Sequence, residues 1–392
     1  MTMLKVTERL SIGITIDHLE LDLTKFKVLF LQLVASTNYH LPFGRLQLSD
    51  LYGYFQKYPL GDNQTIKIDI LTENSTNKPV TTSYSMRIFN APHKSQGSAV
   101  VYDMILIYDA PRFTHESNSE SFGNVSSRTA LSIVAENCGL DFYSNVATAD
   151  NQVWRGHSDR YCAIVRTIAS AGYVDNNSCM VPCVSLDGTL NYVDVSRLDY
   201  AKPTTTFTNT QSGDLNSYTT VGKIVEHLKA GVSNTLNGYK LKTHAQIPLE
   251  AESSNFPSFS SVLSTTASSS INYNKNIGSA IASGRVVYAP INCGNVHPNY
   301  EKAIHQNQRL RALFGTGLDV CVAGPTQADL LSVAGLNIYS MQGSDRVLNS
   351  TLSGAYLILG KGVFVTASGN YYEKFLLVRQ GKNNIQSSSQ AT

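Results

Sequence analysis

Six cysteines, nine histidines and a scatter of aspartates are the obvious candidates for chemistry in this 392-residue chain. Cys179 and Cys183 are the only close cysteine pair. A Cys-x3-Cys with no second Cys or His pair at ligand spacing is a poor zinc signal, so reduced and mostly buried thiols are expected. His297 and His305 stand eight residues apart with no acidic cluster beside them and read as surface or packing residues. Asp150, Asp159, Asp175 and Asp187 fall in expected loops and caps, where aspartate closes turns. Nothing in their spacing singles out a glycosidase-like carboxylate pair. The chain has no Gly-x-Gly-x-x-Gly, no P-loop, no His-Glu-x-x-His and no Gly-x-Ser-x-Gly. Gly315-Thr-Gly317 follows an expected helix and precedes a strand, the wrong order for a phosphate cradle, and reads as a helix stop. Trp154, the only tryptophan, reads as a core anchor. No catalytic, cofactor-binding or metal-ligating residue is therefore named, no cofactor is expected, and the chain is expected not to be an enzyme. Arg87 and Arg379 sit near strands apolar on both faces, at a subunit seam or facing a channel. The residues of any partner interface are not identifiable from the sequence.

The elements that carry these residues are mostly strands. Tyr356–Arg379 reads as a β-hairpin, with Gly360, Gly362 and Gly369 in its connection. Tyr84–Tyr108 reads the same way through Pro92 and Gly97, so that Tyr102-Asp103 answers to Tyr372-Glu373. Before each hairpin comes strand, loop, Gly-bearing turn and strand. These are Phe43–Leu48, Leu60-Gly61-Asp62 and Thr65–Ile70 in the first, and Leu318–Ala323, Val333-Ala-Gly335 and Leu336–Tyr339 in the second. An internal duplication of one β-domain is expected. Ser11–Ile16 and Lys25–Ala35 add strands, and no helical window is expected before Phe113.

Composition changes after Pro111. Thr114–Gly123 reads as loop. A helix capped by Ser127 and stopped by Gly139 follows, then a strand over Leu140–Tyr143. Ser158 caps a second helix over Asp159–Ala171, and Val181–Val184 pairs with Thr189–Val193 around Leu186-Asp187-Gly188. Residues 201–220 read as loop, with ordered segments at Val221–Leu228 and Tyr239–Leu241. Residues 250–285 are Ser- and Thr-rich, open to exposed strands or loops. Pro298 opens a helix over Asn299–Phe314.

Charged residues make up 15% of the chain, the formal net charge is +2, and there are 21 tyrosines. Such a surface gives no electrostatic case for nucleic acid or an anionic membrane and suits wide protein contacts. The N-terminus lacks an apolar signal core, and the longest apolar run, Val28–Ala35, is broken by Gln32. Synthesis in a cytoplasm without membrane insertion is expected. In Val101–Tyr108 both strand faces are apolar, which demands a second covering partner, another domain or another copy of the chain.

The order of these pieces resembles the baseplate hub proteins of contractile-tailed bacteriophages, a family related to late-control tail proteins and the N-terminal part of type VI secretion spike proteins. The resemblance rests on the β-domain ending at Tyr102–Phe113, then helix, Trp154, helix and Asp187-Gly188 hairpin. It continues through Tyr300–Ala312 into Gly317–Ala323, and through Leu330–Gly335 to a Ser-rich tail. It implies a β-rich α+β fold with two similar antiparallel β-barrel (tube-like) domains and an inserted α+β peripheral domain. The first barrel is expected over 1–113. The peripheral domain is expected over 114–199 with 246–309. The second, discontinuous barrel is expected over 200–245 and 310–380, and a disordered tail over 381–392. The implied function is structural: a homotrimer in the virion, assembled in the host cytoplasm, that adapts a hexameric tail tube to a trimeric central spike. Its implied partners are itself, the tube protein, the spike protein and other baseplate proteins. Genomic DNA would pass through the channel without specific binding. The alternatives are another tail component with a tube-like barrel, such as a tube terminator or distal tail protein, or a cell-wall hydrolase or glycan-binding module.

Overall fold

The computed structural model describes residues 11–37, 41–73, 79–96, 99–114, 117–118, 120–156, 159–175, 178–210, 216–228, 242–246, 286–290, 316–342 and 345–379. The first part holds β1 (Ser11–Ile16), β2 (Leu19–Glu20), β3 (Phe26–Ser36), β4 (Phe43–Asp50), α1 (Tyr54–Lys57), β5 (Thr65–Glu73), β6 (Pro79–Asn90), β7 (His93–Gln96) and β8 (Ala99–Tyr108). The middle holds α2 (Pro111–Thr114), β9 (Ser117–Asn118), β10 (Ser121–Val125), α3 (Ser127–Cys138), β11 (Asp141–Tyr143), β12 (Gln152–Arg155), β13 (Asp159–Arg160), α4 (Tyr161–Ala171), β14 (Met180–Val184) and β15 (Thr189–Asp194). The last part holds β16 (Thr205–Thr208), β17 (Ser217–Thr219), β18 (Val225–Leu228), β19 (Lys242–Gln246), β20 (Val286–Pro290), β21 (Thr316–Ala323), β22 (Val333–Asn337), β23 (Tyr339–Gln342), β24 (Asp345–Leu348), β25 (Gly354–Thr366) and β26 (Tyr371–Arg379).

Fifteen strands from the first and last parts form one large, mostly antiparallel sheet. Two runs of it are paired alike. One follows β3-β4-β8-β6-β5-β1, the other β18-β21-β26-β25-β22-β16. In chain order both read second, third, sixth, fifth, fourth, first. Even the irregularities agree. Phe89 is an extra residue between Ile88, opposite Leu106, and Asn90, opposite Ile105. Leu359 is the extra residue between Ile358, opposite Leu377, and Gly360, opposite Leu376. A bulge locally kinks a strand, so the same bulge bends both runs at the same step. One pairing differs: β1 is antiparallel to β5, whereas β16 is parallel to β22.

The runs join through β3, which pairs β4 on one side and the second half of β25 on the other. One core therefore spans both, from Ile14, Leu33 and Met104 to Leu318, Phe207 and Phe375. Among the described residues no sheet closes on itself, and the two runs form one open sheet.

The middle part has its own core, in which α3 and α4 pack with β14 and β15 around Ala130, Leu131, Ile164, Ile168 and Tyr192. Ser126, one residue before the expected cap, accepts the Thr129 N–H, and Gly139 closes α3 at φ 69°, where a side chain would be strained. Trp154 is buried as an anchor, its Nε1–H bonded to the Val125 carbonyl at 2.9 Å.

Several expectations differ from the structure. Gly360 and Gly362 lie inside β25, not in a turn, and Gly335 lies inside β22. A Cβ on Gly362 would meet the Phe364 ring at 2.8 Å, and one on Gly335 the Thr206 hydroxyl at 3.1 Å. These glycines mark close packing, which sequence reading confuses with turns. Tyr102 does not answer to Tyr372. Aligned on the bulges, its counterpart is Glu373, and like Glu373 it faces the core, whereas Tyr372 faces away. A one-residue slip changes face. The one-turn helices α1 and α2 interrupt the first stretch. Polar stretches read as loops contain β10, β16 and β17; Phe207 in β16 is fully buried, stacked 4.9 Å from Phe375. The second helix starts at Tyr161, because Asp159 and Arg160 pair with β9. The expected helix Asn299–Phe314, the segments Tyr239–Leu241 and 250–285, and the tail after 380 lie outside the described residues. β19 pairs only β20 among the described strands, in a parallel ladder apart from the large sheet.

Candidate assembly surface

Several of the side chains singled out for chemistry are held by structural partners. Cys179 and Cys183 are buried thiols, and burial pushes the Cys183 thiol far above its ordinary range, the reverse of what a nucleophile or metal ligand needs. Asp150 is buried and accepts the N–H groups of Ser127 (2.9 Å) and Tyr173 (2.7 Å), which ties the start of α3 to the end of α4. Asp175 pairs with Arg197 at 2.6 Å, and Asp187 accepts the Thr189 N–H in its turn. Asp159 lies exposed in β13. His297, His305 and Gly315 lie outside the described residues; Thr316 and Gly317 already belong to β21. Among the described residues no group of three or more His, Cys, Asp or Glu is placed to hold a metal ion. No described helix is long and apolar enough to cross a membrane.

Arg87 is half-buried, bonded to Asp109 at 2.7 Å and to the Asn63 carbonyl, beside a shallow cleft of about 370 Å³. Arg379 is buried at the end of β26. It donates to the carbonyls of Ser353 and Thr351, and its guanidinium lies 4.5 Å from the Tyr356 ring centroid. Burial pulls its pKa below the ordinary range and raises that of Tyr356 to about 12.

Where the two runs meet, polar side chains converge inside the sheet. Glu373 is buried and accepts from Thr326 N–H (3.1 Å), Thr326 Oγ1–H (2.6 Å) and Tyr371 O–H (2.8 Å). Tyr84 of the first run lies close enough to Tyr371 and Glu373 to feel their charges. Burial, followed by the Glu373 charge, raises both phenols well beyond their usual range.

The other face of the sheet is polar over much of its extent. In β8, Tyr102, Met104 and Leu106 fill the core, while Asp103 and Ile105 face outward. Arg45 stands opposite Ile105 and reaches diagonally to Asp103, at 2.7 and 2.6 Å. The corresponding place in the second run carries the same diagonal pair with its charges exchanged. Asp319 stands opposite Leu376 and binds Lys374 at 2.8 Å and His227 at 3.2 Å. At one end of this face Phe43 (52% exposed) and Ile105 (44%) are diagonal neighbours, with the bulge residue Phe89 (59%) alongside. So the double-faced apolar strand exists, with one face in the core and part of the other open.

No protein-family profile and no curated protein sequence matches the chain. Solved structures do match it by fold. The 43 kDa tail protein of prophage MuSo2 from Shewanella oneidensis superposes with a TM-score of 0.60 at 12% identity, covering 95% of this chain and 99% of that one. A tail protein from Neisseria meningitidis MC58 gives 0.61 at 9% identity, covering 94% and 96%. The E. coli c3393 protein, described as a type VI secretion component with similarity to T4 tail proteins gp27 and gp5, gives 0.50 at 9% identity, covering 93% and 76%. The resemblance suggested by the order of elements holds at the level of the fold: this chain shares its fold, nearly end to end, with these phage tail proteins.

Proposed function

We propose that the chain is the structural baseplate hub of a phage tail, a homotrimer that adapts a hexameric tail tube to a trimeric central spike. The observation that carries this reading is the doubled pairing path with its doubled bulge. A chain with two like runs lets three copies present six like units to the tube and three to the spike. In this reading each run is a tube-like barrel completed on assembly. Residues 1–113 form the first, 200–245 with 310–380 the second, 114–199 with 246–309 the periphery, and 381–392 a tail.

The outward face of the runs lines the channel. Among the described residues Arg45 is paired with Asp103 and Lys374 with Asp319 across neighbouring strands on this face, which weakens any cationic track that could hold a DNA backbone. DNA then passes without specific binding. The tail-protein identity of the fold's solved relatives supports a structural, non-enzymatic role in the virion, with tube, spike and other baseplate proteins as partners.

Light scattering of the purified chain, alone and with its spike, tests the reading together with rotational symmetry by electron microscopy. A three-fold ring with a channel that admits duplex DNA is expected. A six-fold ring would indicate a tube component or terminator, and a monomer under both conditions would refute the hub.

A further inference from the structure

The two runs part company at one step, the connection between their fourth and fifth strands. Aligned on the bulges, Arg87 matches Leu357 and Tyr84 matches Gly354. Thr65 is opposite Arg87 as Val333 is opposite Leu357, and Ile68 is opposite Tyr84 as Leu336 is opposite Gly354. Beyond that point the first run stays in the large sheet. Its ladder continues from Asp69 opposite Ser83 to Glu73 opposite Pro79, and β1 flanks it with Ser11 opposite Leu71. The second run leaves the large sheet and folds into a separate two-stranded hairpin, β23-β24.

The hairpin has an apolar face. Tyr339 stands opposite Leu348 and Met341 opposite Arg346, so these four share one side. Met341 is 63% exposed, Leu348 is 43% exposed, and Arg346 is exposed. A lone two-stranded ribbon is marginal in water, and an apolar face on it gains from a cover. The outer stretch of β6 in the first run is exposed as well, but Thr81, Thr82 and Ser83 make it mostly polar.

The root of the hairpin is held firmly. The Asn209 side chain accepts the Tyr339 N–H and donates to the Tyr339 carbonyl, both at 2.8 Å. The Ser353 hydroxyl accepts the Ile338 N–H at 3.0 Å, and the Asn349 N–H donates to the Ile338 carbonyl at 2.7 Å. On the return side Arg379 donates to the carbonyls of Thr351 and Ser353, and Tyr356 to that of Leu352. The buried Arg379 thus fixes the hairpin's root. An open apolar face on a fixed root is pre-organised for a partner, which lowers the cost of binding.

Copy number selects that partner. In a trimer a feature common to both runs occurs six times, and a feature of one run occurs three times. Among the described residues the separate hairpin belongs to the second run alone. We propose that β23-β24 is the docking element for the three-fold spike. Each hairpin lays Met341 and Leu348 on an apolar surface of the spike protein, and Arg346 meets a carboxylate at its edge. This inference rests on the trimeric hub reading and names the surface that serves one of its partners.

Hydrogen exchange of the full-length chain tests it, with the purified spike protein and the purified tube protein of the same tail as probes. The amides of residues 339–348 should become protected with spike and not with tube. Met341→Ser with Leu348→Ser alters exposed side chains, so the melting temperature should hold while affinity for the spike falls at least about tenfold. Arg346→Glu should also weaken the spike complex, and Val80→Ser in the outer stretch of the first run should leave it unchanged. Protection that is absent with spike, that comes with tube, or that is already present in the chain alone overturns the docking and leaves the hub reading standing. Unchanged spike affinity in the double variant does the same. A wild-type chain that stays monomeric and binds neither protein overturns both.

Discussion

At the scale of single residues, Glu373 shows how a carboxylate is used here. It is buried not to react but to receive three hydrogen bonds at the junction of the two runs. Glu373→Ala strands those donors, and an unsatisfied buried group costs roughly 1 to 3 kcal/mol. A loss of about 2 kcal/mol in urea unfolding is expected, and no change would mean that the donors find other acceptors. Asp319 gives a pH-dependent counterpart. Burial would raise its pKa, but hydrogen bonds from Lys374 and His227 outweigh burial and hold it below the usual carboxylate range. A carboxylate whose folded pKa is depressed stabilises the fold above its unfolded value, about pH 4, and that contribution is lost as pH falls through the folded value. Lys374→Met is therefore expected to weaken the protein at pH 6, with the gap to wild type narrowing towards pH 3. Denaturation midpoints at both pH values check this; a gap that widens in acid would contradict it.

At the scale of elements, close strand contacts decide where glycine stands. Gly44 in β4 leaves no room for a Cβ, which would lie 2.5 Å from Leu33 Cδ2 and 2.7 Å from the Gln32 carbonyl oxygen. The second contact is backbone and cannot turn aside. Gly44→Ala is expected to cost about 2 kcal/mol by overpacking. Gly123→Ala in β10, where nothing lies within 4 Å, serves as the near-neutral comparison. Equal melting temperatures for the two variants would refute the steric account. Much at this scale was legible in the sequence. The periodic apolar positions of α3, the Gly139 stop and the hairpin around Asp187-Gly188 follow local rules and occur close to where those rules put them. Short polar strands such as β10, β16 and β17 were not legible, because their partners lie far along the chain or on polar edges.

At the scale of the whole molecule, the shared strand makes the two runs one cooperative body. Leu33 is fully buried in β3, between Gly44 on one side and Val363 on the other. Leu33→Ala is expected to cost about 3 kcal/mol, and the large sheet should still unfold in a single transition. Fluorescence of Trp154, in the separate core of the middle part, follows that part independently. Two transitions within the large sheet, seen by hydrogen exchange, would contradict the single body.

The residues themselves determined a β-rich chain with a small inserted α+β part, two like hairpins and no recognisable catalytic constellation. Period-two patterns, caps and turn residues are local, so they survive without the fold. Only the tertiary structure decided which face each strand shows, that Tyr102 matches Glu373, and that Gly360 and Gly362 lie within a strand. The physical reason is that facing and register depend on the partner strand. A bulge of one residue reverses the facing without leaving a mark in composition or spacing.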